Sequence, residues 1–271
     1  MDDLTATVSA SGLDLHVHRG TDPGAGPPIV ALHPWFGCWQ FWLPIVERMP
    51  ERDWLLVDMY SGARAIAADD EALPHLASAV TELVAERCDG PVVLMGNSTG
   101  GLIAQILAIS GVPPLEALVL VGTGASAAGV KPPFRATLGD WLAANGSPEP
   151  ELTRAAVRSL LFTTPDPEPL RTYCDAVTDA DLPFLSAVLS GVLAADVIAD
   201  LPRIGVPTLV VRGAEDAART TEHVRILREG IPDCRTVEIP QAGHSPMVDT
   251  PDEFAGALRG FLAGTAAGTA R

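Results

Sequence analysis

Short apolar runs along the chain alternate with longer segments whose apolar positions recur at helical spacing. Runs at 28–33, 54–58, 91–96, 118–122, 207–213 and 235–239 have the length and β-branched content of strands. Segments at 40–49, 73–87, 99–109, 220–228 and 253–262 repeat their apolar residues every third or fourth position, as a helix with one buried face does. Strand and helix in succession predict an α/β architecture, a mostly parallel central sheet with helices on both faces. Ahead of it, 6–9 and 13–18 flank Ser9-Ala10-Ser11-Gly12 and predict an opening hairpin.

The alternation stops between about 123 and 203, where helical patterns follow one another without a strand-like run. A helical cap over 124–203 is therefore expected, inserted after the sixth strand of a core built from 1–123 and 204–271. Within it, Ser147-Pro148-Glu149 and Thr164-Pro165-Asp166 look like helix starts, each a capping residue followed by proline. The small and polar stretch 263–271 reads as a frayed tail.

Composition narrows the partners. The chain has 271 residues, 47% of them hydrophobic and 19% charged, enough for one large core. Its 34 acidic and 18 basic side chains give a formal net charge of −16, which repels polyanions. Lys131 is the only lysine and the arginines are dispersed, so nucleic acid and anionic membranes are not expected partners. Neither a signal-like start nor a run near the ~20 apolar residues of a membrane span is present, and a cytoplasmic protein, monomer or homodimer, is expected. Cys38, Cys88, Cys174 and Cys234 lack a disulfide or metal-ligand spacing. His16 and His18 share one side of the hairpin, but without a third ligand they read as a solvated strand face, and no metal is expected.

Chemistry concentrates at Gly96-Asn97-Ser98-Thr99-Gly100, where an apolar strand ends and a helix begins. A serine on so sharp a turn is held in a strained conformation with its hydroxyl exposed, and the flanking glycines avoid collisions with neighbouring backbone. The hydroxyl needs a base to take its proton. Of six histidines, only His244, in Gln241-Ala242-Gly243-His244-Ser245-Pro246, follows a strand in a glycine-containing loop. An acid that orients the imidazole is expected after the strand ending Val210-Val211-Arg212-Gly213; Asp216 is favoured there, with Glu215 a near competitor and Asp249 a distant one. Backbone donors for an oxyanion are expected at Thr99 and in the loop His33-Pro34-Trp35-Phe36-Gly37, where Pro34 has no N–H and Trp35 is preferred to Phe36.

With these ordered motifs the chain resembles the capped α/β-hydrolase superfamily over roughly 28–262, apart from the cap. The resemblance implies a triad of Ser98, Asp216 and His244, an oxyanion loop supported by His33, and no cofactor. Two departures stand out: His33-Pro34 where relatives read His-Gly, and Asp58-Met59-Tyr60-Ser61-Gly62 where they carry an Asp-x-Pro-Gly-x-Gly turn. Among the aromatic residues of the cap and the oxyanion loop, Phe36, Trp141 and Phe162, with His33, are expected to contact a small-molecule substrate, while Arg64 and Arg135 could bind a substrate carboxylate. The expected activity is hydrolysis of a carboxylic ester or lactone of a small, largely apolar substrate through an acyl-serine intermediate. Alternatives are a carbon–carbon bond hydrolase for vinylogous diketones, whose elbow the Gly96–Gly101 stretch resembles, and a ligand-binding protein without turnover.

Overall fold

A computed structural model describes residues 5–22, 24–143 and 149–268. Eight strands form one sheet: β1 (Thr5–Ala10), β2 (Leu13–His18), β3 (Ile29–Leu32), β4 (Trp54–Asp58), β5 (Val92–Asn97), β6 (Leu115–Val121), β7 (Thr208–Gly213) and β8 (Cys234–Ile239). Their order is β1-β2-β4-β3-β5-β6-β7-β8. The hairpin β1–β2 joins β4 antiparallel, and all pairs from β4 to β8 are parallel. Every residue of β3, β5 and β7 is buried, as strands covered on both faces must be. The α/β architecture expected from the alternating pattern is therefore the one formed.

Ten α-helices are described: α1 (Leu43–Arg48), α2 (Ala72–Arg87), α3 (Thr99–Ser110), α4 (Pro132–Ala143), α5 (Pro150–Arg158), α6 (Pro167–Thr178), α7 (Leu182–Ala194), α8 (Thr221–Gly230), α9 (Pro246–Asp249) and α10 (Pro251–Gly268). Helices α4 to α7 follow β6 and precede β7, and α7 packs on α2. Among the described residues no single helix is long and apolar enough to cross a membrane.

Several boundaries differ from the expectation for local reasons. The helix expected at 40–49 is a 3₁₀ turn, Trp39–Trp42, followed by α1, because Pro44 lacks the N–H that would continue an α-helix from Gln40. The two helices expected to start at Ser147 and Thr164 begin later, with Glu149 and Asp166 at the N-caps and Pro150 and Pro167 in the first turn; Ser147 and Pro148 lie outside the described residues. The expected frayed tail is helical through Gly268, since Phe261, Leu262 and Thr265 still bury against the body of the protein. His16 is not part of a metal cluster among the described residues. It bonds the Thr7 hydroxyl at 2.9 Å and stacks on Trp39 with ring centroids 3.7 Å apart.

Candidate active site

The carboxyl ends of β3, β5, β6 and β7 converge on Ser98, which links β5 to α3 with φ 53° and ψ −112°. A non-glycine residue with positive φ is strained, and here the packing leaves it no choice. A Cβ on Gly96 would lie 2.2 Å from the Gly100 carbonyl oxygen, and one on Gly100 would lie 2.4 Å from that of Leu32. Only glycine lets α3 sit so close to β5 and β3. The Ser98 N–H donates to the Val121 carbonyl at 2.9 Å and the Thr123 hydroxyl to the Ser98 carbonyl at 2.8 Å, pinning the turn against β6 and the loop after it.

His244 is brought to this turn by the residue before the serine. The Asn97 amide donates to the carbonyls of Val121 and His244, both at 2.9 Å, and its oxygen accepts from the Ser245 hydroxyl at 2.8 Å. Asn97 is fully buried, and its amide is spent on holding the histidine loop beside the elbow. Sequence reasoning missed this role, because nothing local to Asn97 announces a partner 147 residues away.

The loop after β7 supplies the carboxylate. Asp216 is fully buried and both its oxygens lie 3.0 Å from His244 Nδ1. Its Oδ1 also accepts the N–H groups of Ala218 at 2.7 Å and Arg219 at 2.9 Å. Burial alone would raise the Asp216 carboxyl, but the His244 ring and these two amides outweigh it and hold the group below its ordinary value. With Nδ1 donating to Asp216, His244 Nε2 is left as the acceptor, and it is buried without a hydrogen-bond partner. Of the competitors, Glu215 is exposed. Asp249 instead accepts the Gly243 N–H at 2.8 Å, the Phe162 N–H at 3.0 Å and the Thr163 N–H at 2.8 Å.

Ser98, Trp35 and Thr99 all line a cavity of about 190 Å³, roofed by α4 and α7. Thr99 is the first residue of α3, where the helix itself offers its N–H no acceptor. The Pro34–Gly37 segment closes a turn, Gly37 N–H to Pro34 carbonyl at 3.1 Å, with Phe36 at φ 63°. Proline cannot take a positive φ, and in this turn the positive φ falls on Phe36.

Of the four residues expected to contact substrate, only Phe36 lines the cavity. His33 lies behind it, fully buried, with Nδ1 donating to the Pro34 carbonyl at 2.9 Å and Nε2 accepting from the Met59 N–H at 3.0 Å. Burial lowers its pKa, the Asp58 charge opposing, and the ring acts as a neutral brace for the turn. Trp141 is buried edge-on beneath Phe36, centroids 5.0 Å apart, one layer back from the wall. Phe162 is 53% exposed, because its backbone is turned to Asp249 and its ring to solvent. Arg64 pairs with Asp14 at 2.8 Å elsewhere on the surface, while Arg135 does line the cavity. Sequence reasoning did not single out Leu138, Leu189, Val192 or Arg219, which also line it. The helical spacing of the first three announces only a buried face.

A model of the alpha/beta hydrolase family matches residues 23–257. The pimeloyl-[acyl-carrier protein] methyl ester esterase of Chromobacterium violaceum is 30% identical over 88% of this chain and 95% of its own length. The enzyme of that name from Aeromonas hydrophila is 27% identical over 88% and 96%. Among solved structures, the enol-lactonase from Burkholderia xenovorans superposes with a TM-score of 0.78 at 23% identity, covering 95% of this chain and all of its own. The 2-hydroxy-6-oxo-6-phenylhexa-2,4-dienoate hydrolase from a Rhodococcus species also gives 0.78, at 18% identity over 96% and 99%. Fold, motif order and sequence likeness agree: the chain belongs to the alpha/beta hydrolase family and is a hydrolase.

Proposed function

We propose that the protein hydrolyses a carboxylic ester or lactone of a small, largely apolar substrate, with Ser98 as nucleophile, His244 as base and Asp216 as its orienting acid. One observation carries the reading: beside a strained serine, a histidine has Nδ1 fixed by a buried carboxylate and an unpartnered Nε2. In the proposed cycle Nε2 takes the Ser98 proton as Oγ attacks the ester carbon. The tetrahedral oxyanion is met by the N–H groups of Trp35 and Thr99. The imidazolium then protonates the leaving alcohol, and an acyl-Ser98 ester remains. Water, deprotonated by His244, attacks that ester, and collapse of the second oxyanion releases the acid and restores Ser98.

Residues 124–203 are assigned as a cap on the core of 1–123 and 204–271, its α4 and α7 covering the cavity with Phe134, Leu138, Leu189 and Val192. Apolar walls suit an acyl chain and exclude the water that would screen the oxyanion. The curated relatives, named for a methyl ester, support ester rather than carbon–carbon cleavage. A panel of aryl esters, lactones and vinylogous diketones tests the assignment. Turnover of esters or lactones, lost by roughly 10⁴-fold or more in Ser98→Ala, is the expected result; turnover confined to diketones would replace it with the carbon–carbon reading.

A further inference from the structure

The cavity beside Ser98 is mostly apolar, with the guanidinium groups of Arg135 and Arg219 in its wall. Arg219, three residues beyond Asp216, lines it and is only 8% exposed. A guanidinium has five N–H donors in a planar fork. Here Nη1 donates to the Ser126 carbonyl at 2.9 Å, while Nε is buried with no hydrogen-bond partner. Burial lowers the Arg219 pKa to about 10, the Asp216 charge opposing the shift, so the group remains cationic at neutral pH. Asp216 does not satisfy it: that carboxylate is taken by His244 and by the Ala218 and Arg219 amides, and no ion pair joins the two side chains among the described residues.

A buried, half-satisfied cation is costly, and the cost persists only where something offsets it. The neighbourhood repeats the sign. Arg135 also lines the cavity, and Lys131, next in sequence to the lining residue Val130, donates to the Asp216 carbonyl. In a chain of net charge −16, where the long-range field repels anions, two of the 18 cations thus line one pocket.

We propose that Arg219 binds a carboxylate on the acyl portion of the substrate, so that the enzyme acts on monoesters or lactones of acids that carry a second, ionised carboxyl group. The acyl portion is the part that stays joined to Ser98 through both half-reactions, and its anchoring therefore serves each of them. A planar carboxylate matches the guanidinium fork, and the surrounding Phe134, Leu138 and Val192 would cover the methylenes between the two carboxyl groups. The inference rests on the acyl-serine reading given above.

The test compares phenyl hydrogen adipate with phenyl hexanoate, matched aryl esters that differ in the far carboxylate, by kcat/KM in the wild-type protein and in Arg219→Met and Arg219→Lys. The expected result is a preference of about tenfold or more for the carboxylate ester in the wild type, reduced to about twofold or less in Arg219→Met and partly kept in Arg219→Lys. Because the ratio is read, any common loss of rate in the variants cancels. Should the variants fail to fold, inhibition of phenyl hexanoate hydrolysis decides. Adipate is expected to compete about tenfold better than hexanamide in the wild-type protein. Hydrolysis of phenyl hexanoate with no preference for the carboxylate ester, or a preference unchanged in Arg219→Met, overturns the inference and leaves the esterase reading intact. Hydrolysis of neither ester, with no labelling of Ser98 by a fluorophosphonate, overturns both.

Discussion

At the scale of single residues, Asp216 sets what His244 can do. Its carboxylate fixes the proton on Nδ1, so replacing it by asparagine would present an amide to the same nitrogen and favour the wrong tautomer. Asp216→Asn is expected to lower kcat by about 10⁴-fold with little change in fold, measured by aryl-ester turnover and circular dichroism. Stability should respond as well. The folded-state pKa of Asp216 is depressed, so its contribution is fully present above the ordinary carboxylate value of 3.8 and is lost as pH falls below that value through the folded one. Acid titrations of the wild type and Asp216→Asn, followed by thermal unfolding, should therefore converge below pH 3.8.

These residues were legible in the sequence because their signals are local: a glycine-flanked serine at a strand end, and a histidine and an acid in loops after strands. Phe162 and Trp141 were misplaced because whether an aromatic ring faces a cavity depends on the contact behind it. Asp249 holds the one, and Phe36 covers the other. Arg219 was not legible at all, since only the folded loop reveals that its side chain turns inward.

At the scale of elements, the assembly depends on a junction between the loop after α5 and the histidine loop. Asp249 ties the Phe162 and Thr163 amides and the Thr163 hydroxyl to the Gly243 amide, and the Ser245 N–H donates to the Leu160 carbonyl at 2.9 Å. Asp249→Ala would orphan several donors at once and free the histidine loop. A loss of roughly 2 kcal/mol is expected, seen as a Tm lower by about 4–8 °C, together with reduced kcat. An unchanged Tm would show that the junction carries no weight. Strand and helix order was readable from periodicity, and β8 illustrates why ends were less so. It is the last strand of the sheet and mostly exposed, so pairing with β7 rather than composition decides where the strand starts.

For the whole molecule, the charge of −16 opposes compaction while the buried sheet favours it. Between about 0.01 and 0.15 M salt the Debye length falls from about 30 to 8 Å, so self-repulsion is screened across much of the surface. Tm is expected to rise over that range; a fall would mean that the surface ion pairs, such as Arg225 with Glu222 and Glu229, outweigh the net charge.

Hydrolysis on this fold comes down to whether Ser98 is an activated nucleophile. Incubation with a fluorophosphonate, followed by intact mass and peptide mapping of the wild-type and Ser98→Ala proteins, measures this directly. A single adduct on Ser98, absent from Ser98→Ala and slowed in Asp216→Asn, is the predicted result. An unlabelled Ser98 in folded protein, or an adduct on another residue that persists in Ser98→Ala, would contradict it.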